Sequence, residues 1–278
     1  MSAESREIQG MYGLCHRAGR LREQGRYAES ETLFKQALAL AEGLFGADSP
    51  NLIAVLNNNA VLYKYAGRFA EAEALYRRAL DLALRHFGET HAETATLYHN
   101  LGGLAHSRGC FAEGEAWARR SVEIREGLLG ADHVEVAADL AALAALLDGQ
   151  KKFAESEPIY RRALAVFERV YGPEHYEIAV NLNNLAAVKG ATGHLEEAER
   201  LYRRALQMKE RLLGAEHPDV AMTLNNLGVL LKKTERLEEA GAMYERALAI
   251  FERALAPAHP RLLACRANYE KLKKMGSA

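Results

Sequence analysis

GAEHPDVAMTLNNLGVLLKKTERLEEAGAMYERALAIFERAL, residues 214–255, holds one complete unit of a pattern that fills the chain. Its opening phrase recurs as GADSPN at 46, GETHAE at 88, GADHVE at 130, GPEHYE at 172 and, with alanine first, APAHPR at 256, each 42 residues after the last. No insertion or deletion breaks this register. A fixed period of that length marks an array in which each unit stacks on its neighbours and cannot bury its apolar face alone.

Within a unit, Ser49, His91, His133, His175, His217 or His259 stands just before an apolar-periodic run, and Pro50, Pro218 and Pro260 follow three of them. Proline at a first helical position lacks only an N–H that would be unpaired anyway, so these are helix starts. This first helix, A, ends at a second punctuation: GRF at 67, GCF at 109, KKF at 151, GHL at 193. Glycine there suits a left-handed cap, although Lys151 and Glu235 take its place in two units. The second helix, B, is clearest in AEAEALYRRALDLALRHFG (70–88), where Leu75, Tyr76, Ala79, Leu80 and Leu82 share one face. On its other face Glu73, Glu115, Glu157 and Glu199 precede Arg77, Arg119, Arg161 and Arg203 by four residues, which reads as a solvated, self-neutralised surface.

The expected architecture is all-α: a solenoid of about six helix-turn-helix repeats forming one domain over 1–278. The repeats fall near 8–45, 50–87, 92–129, 134–171, 176–213 and 218–255, with a capping helix near 260–275. Gly10, Gly13 and Gly19 weaken the first A helix by ~1 kcal/mol each relative to alanine, so the first repeat is the least secure.

Composition narrows the function. With 36 Lys+Arg against 37 Asp+Glu the formal charge is -1, so no global field attracts nucleic acid or anionic lipid. The opening MSAESREIQG lacks the basic start and apolar core of a signal peptide, and no stretch reaches the ~18 apolar residues of a spanning helix. A cytoplasmic chain is expected. Cys15, Cys110 and Cys265 have no metal-ligand spacing. The histidines at 91, 133, 175, 217 and 259, one per repeat, would lie ~10 Å apart and cannot share a metal, so helix-start packing is their expected role. No cofactor is called for, and no GxSxG, Walker loop, HExxH or CxxC points to an enzyme.

The string NNLxxL…GxxxEAExLYRRALxxxE…LGxxHPxVA resembles the 42-residue class of tetratricopeptide repeat found in kinesin light chains and in bacterial adaptor proteins. The resemblance covers about residues 25–270. It implies a right-handed superhelix whose concave groove, lined by A helices, holds an extended peptide or partner helix. Kinesin light chains carry a long coiled coil before their repeats; only a handful of residues precede the first helix here, so motor binding is not implied.

Alignment at the period separates two faces of helix A. Leu56, Tyr98, Leu140, Leu182 and Leu224 form one core column, with Asn59, Leu101, Leu143, Leu185 and Leu227 a second; Trp117, on helix B, is also expected in the core. Another column is polar: Asn58, Asn100, Asn184, Asn226 and Asn268, beside Asn57, His99, Asn183 and Asn225. An amide offers two donors and an acceptor, so a ladder of them, solvated in the free protein, can grip a peptide backbone whatever its side chains. The competing role is bonding within the solenoid. The ladder breaks at Ala138, Ala141, Ala142 and Ala145, where a bulky anchor side chain could sit. Lys64, His106, Lys232 and Lys233 against Asp148 make the face mildly positive, favouring a ligand with acidic residues. The expected function is a non-enzymatic scaffold binding a peptide or partner protein; the alternative is a regulatory subunit of a separate enzyme, such as a caspase-like protease or a signalling ATPase.

Overall fold

The computed structural model describes residues 3–257 and 259–276, so the ends of the expected span, 1–2 and 277–278, and residue 258 lie outside it. Thirteen α-helices and no strand occur among the described residues: α1 (Ala3–Glu23), α2 (Tyr27–Phe45), α3 (Ile53–Tyr65), α4 (Phe69–Phe87), α5 (Ala92–Ser107), α6 (Phe111–Leu129), α7 (Val134–Gly149), α8 (Phe153–Tyr171), α9 (Tyr176–Ala191), α10 (Leu195–Leu213), α11 (Pro218–Lys233), α12 (Leu237–Ala254) and α13 (Pro260–Gly276). Odd-numbered helices are the A helices. A short 3₁₀ turn, Pro50–Leu52, leads into α3. The chain forms two compact units, Met1–Lys151 and Lys152–Ala278.

In the first unit α1 packs on α2 and α3, α3 on α4 and α5, and α5 on α6 and α7; in the second, α9 packs on α10 and α11, and α11 on α12 and α13. Short turns and a period-matched apolar face leave each A helix no other way to cover itself. The two core columns are buried throughout, from Leu56, Leu182 and Leu224 to Leu101, Leu143, Leu185 and Leu227. A fully buried leucine contributes ~1.5–3 kcal/mol relative to exposure, so the columns carry much of the stacking. Asn59 is buried too, and its Oδ1 has no hydrogen-bond partner among the described residues. Trp117 packs against this core at its edge: it is half-buried and stacks on Tyr98 at 5.6 Å.

The turns follow the sequence closely. After each A helix from α1 to α11 one residue is left-handed, at Gly25, Gly67, Gly109 and Gly193, and Lys151 and Glu235 adopt the same conformation with φ of 61° and 60°. At the other turn the histidine column caps the A helices. Nδ1 of His91, His133, His175, His217 and His259 accepts the backbone N–H two residues on, at 3.2, 3.2, 3.3, 3.1 and 3.1 Å. Ser49 does the same for Asn51 at 3.3 Å. Each satisfies one orphan donor of a helix start. The first repeat is formed: α1 starts at Ala3, ahead of the expected 8, and runs through Gly10, Gly13 and Gly19.

Candidate functional site

Taken one helix at a time, in each unit by itself, α3, α9 and α11 each leave a stripe uncovered at positions i, i+4, i+7 and i+11. On α3 it is Ala54, Asn58, Val61 and Tyr65; on α9, Val180, Asn184, Ala187 and Ala191; on α11, Met222, Asn226, Val229 and Lys233, all half-buried or exposed. Small or apolar residues surround the amides, so these are the polar groups a ligand backbone on this stripe would meet.

The inner amides belong to the solenoid as well. Asn100 Nδ2 donates to Asn57 Oδ1 at 2.7 Å, Asn226 Nδ2 to Asn183 Oδ1 at 3.3 Å, and Asn268 Nδ2 to Asn225 Oδ1 at 3.0 Å. Each rung joins one A helix to the next A helix, 43 residues apart. Within a helix, Asn183 donates to Asn184 Oδ1 at 3.2 Å and Asn225 to Asn226 Oδ1 at 3.4 Å. Asn183 is buried, at 4% exposure. The sequence expectation of solvated amides is therefore corrected: Asn57, Asn183 and Asn225 are structural acceptors, and bonding within the solenoid operates alongside whatever the outer column binds. Asn58 and Asn184 keep amide N–H groups that no described residue accepts.

His99 occupies the place of an inner amide without making a rung. Its Nδ1 donates to Asp139 Oδ1 at 2.6 Å, since a carboxylate can only accept. The residue a rung would need is Ala142, which has no amide, so the break in the ladder and the histidine are one feature. Asp139 is buried at 1% and also meets Ser121 Oγ at 2.5 Å and Arg125 Nη1 at 2.7 Å. Arg125 in turn reaches Thr96 Oγ1 at 2.8 Å and Glu135 at 3.2 Å. Sequence reasoning missed this cluster, although its signal was present: Asp139 sits in a column otherwise made of Val55, Leu97, Asn181, Thr223 and Cys265.

The four alanines 138, 141, 142 and 145 lie half-buried on α7. A cavity of about 330 Å³ opens in the second unit, lined by Ala187, Gly190, Ala191, Tyr202, Asn226, Val229, Leu230 and Lys233. Small residues at 187, 190 and 191 make that space. At its rim Lys233 Nζ donates to Gly190 O at 2.7 Å. Lys232 lies half-buried beside it. In the first unit the Lys64 ammonium lies 2.9 Å from where a Cβ on Gly103 would stand, and burial lowers its pKa. Burial and that lysine together lower the pKa of His106.

The B-helix arginines are paired as expected, with Arg77 2.8 Å from Glu73 and Arg203 2.7 Å from Glu199. No group of three or more His, Cys, Asp or Glu side chains suited to a metal occurs among the described residues. None of their helices is long and apolar enough to cross a membrane.

Solved structures share the fold. BtubC (BKLC) from P. vanneervenii superimposes with a TM-score of 0.62 at 24% identity, covering 94% of this chain and 95% of that one. Kinesin light chain TPR-like repeats from Podosopora anserina give 0.62 at 19% identity, covering 77% and 99%. NprR in complex with its cognate peptide NprX gives 0.68 at 13% identity, covering 99% and 73%. No curated protein matches significantly in sequence. The tetratricopeptide repeat pattern matches residues 12–85, 93–160, 142–211, 178–253 and 219–275, and the chain belongs to the tetratricopeptide repeat family.

Proposed function

We propose that this protein is a binding scaffold whose A-helix stripe holds an extended segment of a peptide or partner protein. The observation that carries the reading is the rung geometry. Asn226 and Asn268 are each held by an inner partner, which fixes their amides on the open stripe with acceptor and donor capacity to spare. Preordered amides lose less freedom on binding than mobile ones, which favours affinity. Structural relatives are in keeping with this: NprR is seen with its peptide, and a Rap protein is seen complexed with competence and sporulation factor. In the second unit Lys233 ends the stripe of α11, with Lys232 next to it in sequence, which favours ligands with acidic residues.

The test is a selection of random dodecapeptides on the intact chain, followed by titration of the selected peptides into Asn184→Ala/Asn226→Ala. Two to three lost hydrogen bonds, each ~0.5–1.5 kcal/mol, should weaken binding by about one to three orders of magnitude. An unchanged dissociation constant for the folded fraction would reject the stripe as the site.

A further inference from the structure

A second surface lies at α1. In the second repeat Leu52, at the end of the 3₁₀ turn, and Val55, Asn59 and Leu62 on α3 are exposed by 0, 3, 2 and 1%, and α2 packs on both elements. In α5 their equivalents Leu97, Leu101 and Leu104 are buried in the same way. One period earlier the same positions on α1 are Gly10, Gly13, Arg17 and Arg20, all exposed, with Arg6 continuing the row. Spacings of four, three, four and three residues put the five on one face. Glu7 and Glu23 lie about 100° round the helix, so no acid shares it.

Two features set this face apart from an ordinary solvated cap. Arg6, Arg17 and Arg20 have no ion pair among the described residues, whereas the B-helix arginines pair with a glutamate on their own helix. Gly10 and Gly13 are not required by the fold, since a Cβ at either would meet nothing within 4 Å. Both weaken the helix relative to alanine, and what glycine offers in return is close approach of another backbone.

We propose that this face of α1 docks an acidic helix of a partner protein, its backbone crossing at Gly10 and Gly13 and its carboxylates meeting Arg6, Arg17 and Arg20. The stacking surface receives a helix in the following repeats, so the shape is already that of a helix seat. The absence of apolar side chains on it selects charge over hydrophobic contact. Arginine forks suit carboxylates bidentately, and Arg6 and Arg17 stand about 16 Å apart along the axis, a span of three turns on a facing helix.

The probe is a stapled 21-residue helix of repeat AEAAAEA, titrated into the full chain at low salt. Saturable binding is expected, weakened at least tenfold by Arg17→Glu/Arg20→Glu and by Gly10→Leu/Gly13→Leu, with the melting temperature of the latter variant unchanged or raised. Gly10→Ala/Gly13→Ala, which should fold at least as well as the parent, is expected to weaken binding less than the leucines. Absence of binding, or binding indifferent to all three variants, would overturn the proposal. So would equal affinity for a 21-base-pair duplex or for phosphatidylserine vesicles through the same arginines, or a dimer of the chain that the arginine substitutions dissolve.

Discussion

The Asn226 side chain donates to Oδ1 of Asn183 across 3.3 Å, tying α11 to α9 at the base of the open stripe. Asn183 is buried and also donates to Asn184, so both of its bonds depend on residues of the outer column. Structure and binding are thus linked in one set of amides. The Asn184→Ala/Asn226→Ala variant, beyond its effect on ligand, should lose roughly 1–3 kcal/mol of stability because Asn183 is left unsatisfied. A thermal melt identical to the parent's would show that the rung contributes nothing.

The cap at α11 gives a cleaner stability prediction. His217 Nδ1 accepts the Asp219 N–H at 3.1 Å, and His217→Ala should destabilise by ~0.5–2 kcal/mol. His217→Asn, which keeps an acceptor, should restore most of it. Urea midpoints of the two variants decide the matter, and equal losses would mean that ring packing, not capping, is what counts.

Lys209 is fully buried, with its ammonium 3.0 Å from Thr223 Oγ1 and 3.4 Å from Asp219 O, and burial brings its pKa down to about 8. Below pH 8 both folded and unfolded chains carry this proton. Between pH 8 and 10 the folded chain releases it while the unfolded chain keeps it, so stability should rise with pH, by roughly 2 kcal/mol over that window. Lys209→Met should remove the rise. Measurements belong below pH 10, because burial raises the pKa of Tyr202 and of Tyr76, and stability falls once unfolded tyrosines ionise.

The Asp139 cluster should be sensitive to loss of one partner. Asp139→Ala leaves Arg125, 8% exposed, without its closest carboxylate and should cost about 3–5 kcal/mol. Asp139→Leu combined with Arg125→Met should recover much of the loss, since the preceding repeat has Leu97 and Ala83 at the equivalent positions, both buried. A double variant no better than the single one would mean that His99 and Ser121 also depend on the carboxylate.

Glu235 holds φ at 60° where four other repeats use glycine. Glu235→Gly should stabilise by ~0.5–1 kcal/mol, the relief of left-handed strain exceeding the added chain entropy. A lower melting temperature would place the glutamate in an interaction worth more than that strain.

The sequence by itself determined the two helices of each repeat, their turns and their core, because these depend on local chemistry repeated at a fixed period. Caps at the histidines, left-handed conformation at Lys151 and Glu235, and burial of the leucine columns all follow from residues within one unit or at the same place in the next. Tertiary structure decided how the amides divide their bonds. Whether Asn226 faces a ligand or Asn183 turns on a separation of a few ångströms between helices 43 residues apart, which no pattern of residue types encodes. The same holds for His99, which alignment places among binding amides and packing turns toward Asp139, because Ala142 offers no side-chain amide for a rung while the buried carboxylate accepts a further donor.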